Sequence, residues 1–169
     1  NASISVVANY LRTGYLWENI RVKGGAYGAF CPFSSQTGVF AQVSYRDPNL
    51  EQTLNVYDGL ADHLRHLEVS QEEVTKSIIG VIGNMDAYQL PDAKGYTSLS
   101  RYLHGVTDDY RQQRRDEVLS TTPQAFQELG DLLQAFKEHG RVVVLGSAEA
   151  IQKANATQEQ PWLTVKKVM

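Results

Sequence analysis

Apolar residues recur at steps of three and four over most of this 169-residue chain, which is the spacing of one buried helix face. The first such face comprises Ile4, Val7, Ala8 and Leu11. A second, shorter helix is predicted from Leu16 to about Val22. Further helices are predicted at residues 47–67, 70–87, 91–105, 107–119, 122–140 and 148–156.

Capping residues mark several of these helix starts. Asp47 followed by Pro48 is typical of an N-cap and a first helical position. Ser70 with Glu73 three residues later has the pattern of a capping box, and Thr107 is a further predicted N-cap. Because these signals are local in sequence, they predict where each helix begins.

Strand patterns are fewer. Residues 26–33 and 39–45 are aromatic, β-branched or small, and the turn-forming residues 34–38 separate them, so a β-hairpin is predicted. The run 141–145 predicts a buried strand alongside it, and residues 163–168 predict a terminal strand or an ordered tail. Without βαβ alternation, the order of elements predicts an α+β fold, an antiparallel sheet covered by helices.

The chain shows no internal repeat and no linker, so residues 1–169 are predicted to form a single domain. Three strands are few for so many helices, and helical periodicity begins almost at Asn1. We therefore expect a fragment of a longer polypeptide whose first strands lie upstream. Such a fragment would leave a sheet edge open to pairing with another chain.

Composition narrows the range of partners. Lys and Arg number 16 and Asp and Glu 19, giving a net charge of −3, which argues against nucleic acid or an anionic membrane as a partner. No apolar run approaches the roughly 20 residues of a membrane span. The single cysteine, Cys31, excludes an intramolecular disulfide. Because this segment contains no signal peptide, we expect the protein to be located in the bacterial cytoplasm or in an organelle matrix.

Motifs alone indicate no self-sufficient active site. The glycine-rich segment 23–28 does not fit a dinucleotide fingerprint, because there a helix ends and a strand begins. Gly24 and Gly25 instead predict a helix C-cap. His63 and His66 are three positions apart but have no third ligand at metal-site spacing, so no metal site is predicted in this segment.

The sequence from Tyr15 to Gly28, with Arg-x-Lys-Gly-Gly-Ala-Tyr-Gly at its end, resembles the final domain of pitrilysin/insulinase-type zinc metallopeptidases of the presequence protease (falcilysin) branch. Residues 44–50 and 166–168 are similar to that branch too, and the resemblance covers the whole chain. It implies a pitrilysin-type, mitochondrial-processing-peptidase-like domain whose first strands precede Asn1. It further implies the C-terminal segment of a zinc-dependent oligopeptidase that degrades short unstructured peptides.

The resemblance also implies that the zinc site and this segment lie in different domains of the full-length protein. The zinc, held by an inverted His-x-x-Glu-His helix plus a downstream Glu, would be bound by an absent N-terminal domain and not by this segment, so the isolated segment is expected to be inactive. The expected partners are a peptide substrate and the N-terminal half of the same chain.

Within this segment, the resemblance implies that Arg21 and Tyr27 are catalytic residues. It implies that Arg21, Gly24, Gly25 and Tyr27 bind substrate. A phenol and a guanidinium can both stabilise the oxyanion that forms when a peptide carbonyl is attacked. The alternative is a non-catalytic domain of the same superfamily that binds peptides or packs against a catalytic partner.

Overall fold

The fold is mostly helical and carries a small antiparallel sheet. A computed structural model describes residues 1–157 and 161–167. The helices are α1 (Ser3–Thr13), α2 (Leu50–Asp58), α3 (Leu60–Arg65), α4 (Gln71–Met85), α5 (Pro91–Leu103), α6 (Asp108–Leu119), α7 (Gln124–His139) and α8 (Ala148–Ala156). A π-helix spans Trp17–Val22, and the strands are β1 (Gly28–Phe30) and β2 (Val43–Tyr45). In this part of the chain no helix is long and apolar enough to cross a membrane.

The hydrophobic core lies where α1, α3, α4 and α7 meet. Phe126 of α7 is fully buried, and its ring contacts that of Tyr10 edge to face at a centroid distance of 5.2 Å. Gly130 allows α7 to approach α3 closely, because a Cβ there would lie 3.1 Å from the carbonyl oxygen of Ala61. The other large residues of this core are Val7, Leu11, Leu16, Ile20, Leu60, Leu64, Val74, Leu129 and Leu133.

Two of the predicted helix starts are confirmed with their caps. The Ser70 hydroxyl accepts a hydrogen bond from the Glu73 amide, and the Glu73 carboxylate accepts one from the Ser70 amide, which completes the capping box of α4. The Thr107 hydroxyl accepts the amide hydrogen of Tyr110 at the start of α6. Both helices therefore begin where the sequence predicts.

The prediction of one helix at residues 47–67 is wrong in two respects: the helix starts later, and it is divided into α2 and α3. The helix begins at Leu50, because the Asp47 carboxylate accepts hydrogen bonds from the Asn49 amide at 2.9 Å and the Thr53 hydroxyl at 2.6 Å and so closes a turn before the helix. Gly59 then separates α2 from α3.

The predicted hairpin is confirmed, with shorter strands than expected. Its register pairs Gly28 with Tyr45 and Phe30 with Val43, and an isolated bridge joins Phe33 to Phe40 near the turn. The sheet of the described residues has these two strands only, β1 and β2.

The strand predicted at 141–145 is wrong. The segment is irregular, and Val143 and Leu145 are 92% and 85% exposed. A strand requires a partner backbone, and no residue of the described parts of the chain donates a hydrogen bond to this segment or accepts one from it. Within the described residues, this apolar run therefore has no strand to pair with.

The chain after α8 is an ordered tail rather than a strand over residues 163–167. The Asn155 side chain holds it, donating to the carbonyl oxygen of Leu163 and accepting from the Leu163 amide, both at 2.9 Å. The last residue of the predicted segment, Val168, lies outside the described residues.

Candidate substrate-binding site

Arg21 lies on the π-helix that follows α1. The wider helical turn is evident from the Lys23 amide, which donates to the carbonyl oxygen of Glu18, five residues earlier, at 3.0 Å. The sequence predicts a helix here but not its π geometry, which occurs frequently at functional sites. The half-buried Arg21 guanidinium stacks on the Trp17 ring, with its central carbon 3.9 Å from the ring centroid.

A glycine turn reverses the chain directly after Arg21. Gly25 has a φ of +77°, which confirms the predicted left-handed C-cap conformation. Gly24 must also lack a side chain, because a Cβ would lie 2.5 Å from the carbonyl oxygen of Ile20. The Gly25 amide donates to the carbonyl oxygen of Arg21 at 2.9 Å. The turn thus connects Arg21 to the start of β1 within a few residues.

A second turn, residues 45–49, is fastened to the glycine turn. The Tyr27 amide donates to the carbonyl oxygen of Tyr45 at 3.1 Å, and the Asn49 side-chain amide donates to the carbonyl oxygen of Gly24. A Cβ on Gly25 would lie 3.8 Å from the Pro48 ring. The two segments that carry the strongest resemblance in sequence are therefore adjacent in space.

Tyr27 presents its ring at this junction. It is 65% exposed and contacts the Tyr45 ring edge to face, at 5.9 Å between centroids and an interplanar angle of 84°. No described residue hydrogen-bonds its hydroxyl. Within residues 1–157 and 161–167, no hydrogen bond or cation–π contact joins Tyr27 to Arg21. The two side chains lie on either side of the glycine turn, and their roles stay predictions.

Arg46 is a residue of this site that the sequence reasoning missed. Its guanidinium carbon lies 5.7 Å from the Tyr27 centroid and 5.3 Å from that of Tyr45. Its φ of +47° places a non-glycine residue in the left-handed region, at a cost of about 1–3 kcal/mol. Arg46 belongs to segment 44–50, which contributed to the resemblance but was given no role. Its position in that segment is the sequence feature from which a role for Arg46 could have been predicted.

The charge at the site is positive. The nearby Lys23 is paired with Glu18 at 3.6 Å, and the Asp47 carboxylate is engaged by the Asn49 amide and the Thr53 hydroxyl. Neither Arg21 nor Arg46 forms an ion pair with a carboxylate of the described residues. An approaching peptide therefore meets two guanidinium groups that are not ion-paired, beside the negative charge that Asp47 retains.

Cys31 is buried in the core and is not a candidate nucleophile. It is 5% exposed, and its thiol donates to the carbonyl oxygen of Ala8 at 3.1 Å. Burial raises its pKa to about 12, so the reactive thiolate is not formed near neutral pH. The structure agrees with a packing role for this residue.

The two histidines considered as metal ligands have local partners instead. His63 stacks on Tyr15 at 4.2 Å between centroids, and burial lowers its pKa. The Nδ1 atom of His66 lies 2.9 Å from the carbonyl oxygen of Asp62. In the described part of the chain, no three histidine, cysteine, aspartate or glutamate side chains are grouped to hold a metal ion. These residues do not fit a zinc centre.

Comparison with known proteins identifies the family. Residues 1–149 match the family model described as the PreP C-terminal domain. The whole chain is 47% identical over 169 residues to presequence protease 1, chloroplastic/mitochondrial, of Arabidopsis thaliana. It is 33% identical over 153 residues, 90% of the chain, to Protein HypA of Clostridium perfringens. It is 32% identical over 163 residues, 96% of the chain, to the mitochondrial presequence protease of Emericella nidulans.

The chain is therefore a domain of a peptidase family, and it belongs to the PreP C-terminal domains. It spans only 16%, 16% and 15% of the lengths of these three relatives.

Proposed function

We propose that this chain is the C-terminal segment of a zinc-dependent oligopeptidase that degrades short unstructured peptides. In that role it supplies substrate-binding and transition-state-stabilising residues opposite a zinc site in another domain. The observation that carries the proposal is the exposed phenol of Tyr27, which two interlocked turns hold in place and no described residue hydrogen-bonds. Membership of the PreP C-terminal domain family and the much greater length of the relatives support it.

Peptide hydrolysis develops negative charge on the scissile carbonyl oxygen. A hydroxyl donor on a turn whose backbone is held by hydrogen bonds stabilises that charge with little reorganisation, which suits Tyr27. Arg21, on the other side of the turn, supplies a fork of N–H donors for the peptide main chain. Gly24 and Gly25 are proposed to contribute to substrate binding through the turn that they form, which places Arg21 before it and Tyr27 after it.

The metal belongs to a different part of the polypeptide in this proposal. We assign the zinc to the N-terminal half of the full-length protein, as the resemblance implies, with the histidines of an inverted His-x-x-Glu-His motif and a downstream Glu as its ligands. The isolated chain is accordingly proposed to be inactive. Relatives named mitochondrial or chloroplastic favour an organelle matrix as the compartment, and the bacterial relative is compatible with a cytoplasmic one.

The proposal is tested by Tyr27→Phe in the full-length protein, which removes one hydroxyl and keeps the ring. We expect kcat for a short peptide to fall on the order of 10²-fold, by analogy with single oxyanion donors. The melting temperature should hardly change, because the exposed hydroxyl leaves no unsatisfied partner. Arg21→Lys should also lose rate, since a point charge does not reproduce a planar fork.

Tyr88→Phe is the control, since it removes the same hydroxyl from a tyrosine that is 86% exposed and lies on the segment between α4 and α5, outside the two turns. It should retain normal kcat. Near-normal turnover of Tyr27→Phe with a large drop in melting temperature would instead assign Tyr27 a structural role.

The second candidate function is then a non-catalytic domain that packs against a partner. The face of α5 favours it, because Tyr96, Leu99 and Leu103 are 76%, 55% and 70% exposed. A search of the full-length sequence for His-x-x-Glu-His separates the two functions directly, since the non-catalytic domain does not require that motif.

A further inference from the structure

Arg46 is a cation that lies beside two aromatic rings, those of Tyr27 and Tyr45, and forms no ion pair with a carboxylate of the described residues. The adjacent Asp47 carboxylate is already engaged by the Asn49 amide and the Thr53 hydroxyl. Aromatic faces attract a guanidinium but accept none of its N–H donors in the way a carboxylate does. Those donors remain available to a ligand.

The backbone conformation determines where the Arg46 side chain leaves the chain. Arg46 has a φ of +47°, and its carbonyl oxygen accepts a hydrogen bond from the Tyr27 amide at 3.4 Å. On one side it follows β2, and on the other the Asp47 turn holds the chain. Because both flanks are constrained, the left-handed conformation persists and the side chain begins next to Tyr27. A pre-positioned donor loses less freedom when it binds.

We propose that Arg46, Tyr27 and Tyr45 form a subsite that binds a carboxylate of the peptide substrate. A planar guanidinium fork matches a carboxylate through two parallel hydrogen bonds. An acidic side chain and a free C-terminus offer the same group. The subsite rests on the proposed function, because Tyr27 contacts the scissile region there. It adds a selection for peptides that carry a carboxylate near the cleaved bond.

The test uses Arg46→Asn in the full-length protein, since asparagine tolerates the left-handed region. Three peptides are compared: one with a free C-terminus and a single glutamate, its C-terminal amide, and its Glu-to-Gln version. Towards the first peptide the variant should raise KM on the order of tenfold, with kcat little changed. For the peptide in which the bound carboxylate has been replaced by a neutral amide, the variant and the unmodified enzyme should have equal KM. Whichever neutral peptide shows this identifies the source of the carboxylate.

Arg46→Gly is a second variant that removes the guanidinium and also relieves the backbone. Arg46→Lys should give an intermediate KM, because it keeps the charge but not the fork. Arg114→Gln is the matched control: Arg114 lies over Tyr110 at 5.9 Å on α6, and its replacement should leave the KM values of all three peptides unchanged.

The subsite is overturned by an equal change in KM for all three peptides, which would make Arg46 a residue that only positions Tyr27. It is also overturned by unchanged KM for every peptide. Failure of the proposed function shows separately, as normal kcat in Tyr27→Phe. A kcat loss in Tyr27→Phe without discrimination by Arg46→Asn removes the subsite and leaves the proposed function intact.

Discussion

Helices α5 and α7 have similar sequence patterns and opposite environments. Each has proline at or just before its first residue and apolar residues at helical spacing. α7 buries Phe126, Leu129 and Leu133 in the core, whereas no residue of α5 is buried. The difference shows that periodicity specifies which face of a helix requires a partner, while the partner itself is a tertiary property.

The segment 141–145 extends the comparison to β structure. Its valines have the composition of a buried strand, yet Val143 is 92% exposed. In contrast, the hairpin strands β1 and β2 are close in sequence and pair with each other. Local partners are present in this chain for the hairpin, and the described residues provide none for 141–145.

The largest effect that tests this comparison is expected from Phe126→Ala. The ring is fully buried and contacts Tyr10, so its loss leaves a cavity and should lower the free energy of unfolding by about 3–5 kcal/mol. Urea unfolding of the 169-residue chain measures it.

The control for Phe126→Ala is Tyr96→Ala on α5, where the ring is 76% exposed. Its effect should stay within about 0.5 kcal/mol. Equal losses in the two variants would show that α5 packs as tightly as α7 and would remove the contrast.

A smaller effect within the packed region is a pH dependence from His63. Burial against Tyr15 lowers its pKa below the ordinary 6.5, so the unfolded state binds more protons than the folded state once the pH falls below that value. Stability should therefore be independent of His63 above about pH 7.5, decrease as the pH falls through 6.5, and level off below the folded pKa.

The measurement for His63 is the unfolding free energy from pH 8 to pH 5 for the unmodified chain and for His63→Gln. The variant should show a shallower decrease with falling pH, because it lacks the group that gains a proton on unfolding. Identical slopes for the two chains would show that His63 is as accessible as an exposed histidine.

Elements whose determinants lie within a few residues could be predicted from the sequence. The Ser70 capping box, the hairpin and the left-handed Gly25 are examples, since each depends on the residue's own chemistry or on near neighbours. The π geometry at Arg21 could not be predicted, because it is a choice between similar hydrogen-bond patterns that packing decides. The left-handed Arg46 was also missed, since its conformation depends on a contact with Tyr27 nineteen residues away.

The candidate site was only partly predictable for the same reason. The resemblance named Arg21, Gly24, Gly25 and Tyr27 but carried no geometry. That the 45–49 turn lies against them follows from the bond of Asn49 to the Gly24 carbonyl oxygen, a contact distant in sequence. Residue identity indicated the chemistry, and tertiary contact assembled it.

The smallest effect is expected from Val143→Thr, which is nearly isosteric and exchanges a methyl group for a hydroxyl. Because Val143 is 92% exposed, water hydrates the new hydroxyl, and the free energy of unfolding should change by less than about 0.5 kcal/mol. The same substitution at the fully buried Val74 of α4 places a hydroxyl in the core and should cost about 1–3 kcal/mol. Urea unfolding measures both variants, which carry the same side-chain change at an exposed and at a buried position. A loss at Val143 as large as that at Val74 would mean that 141–145 is packed in the folded chain, and the contrast between the two regions would then be false for this segment.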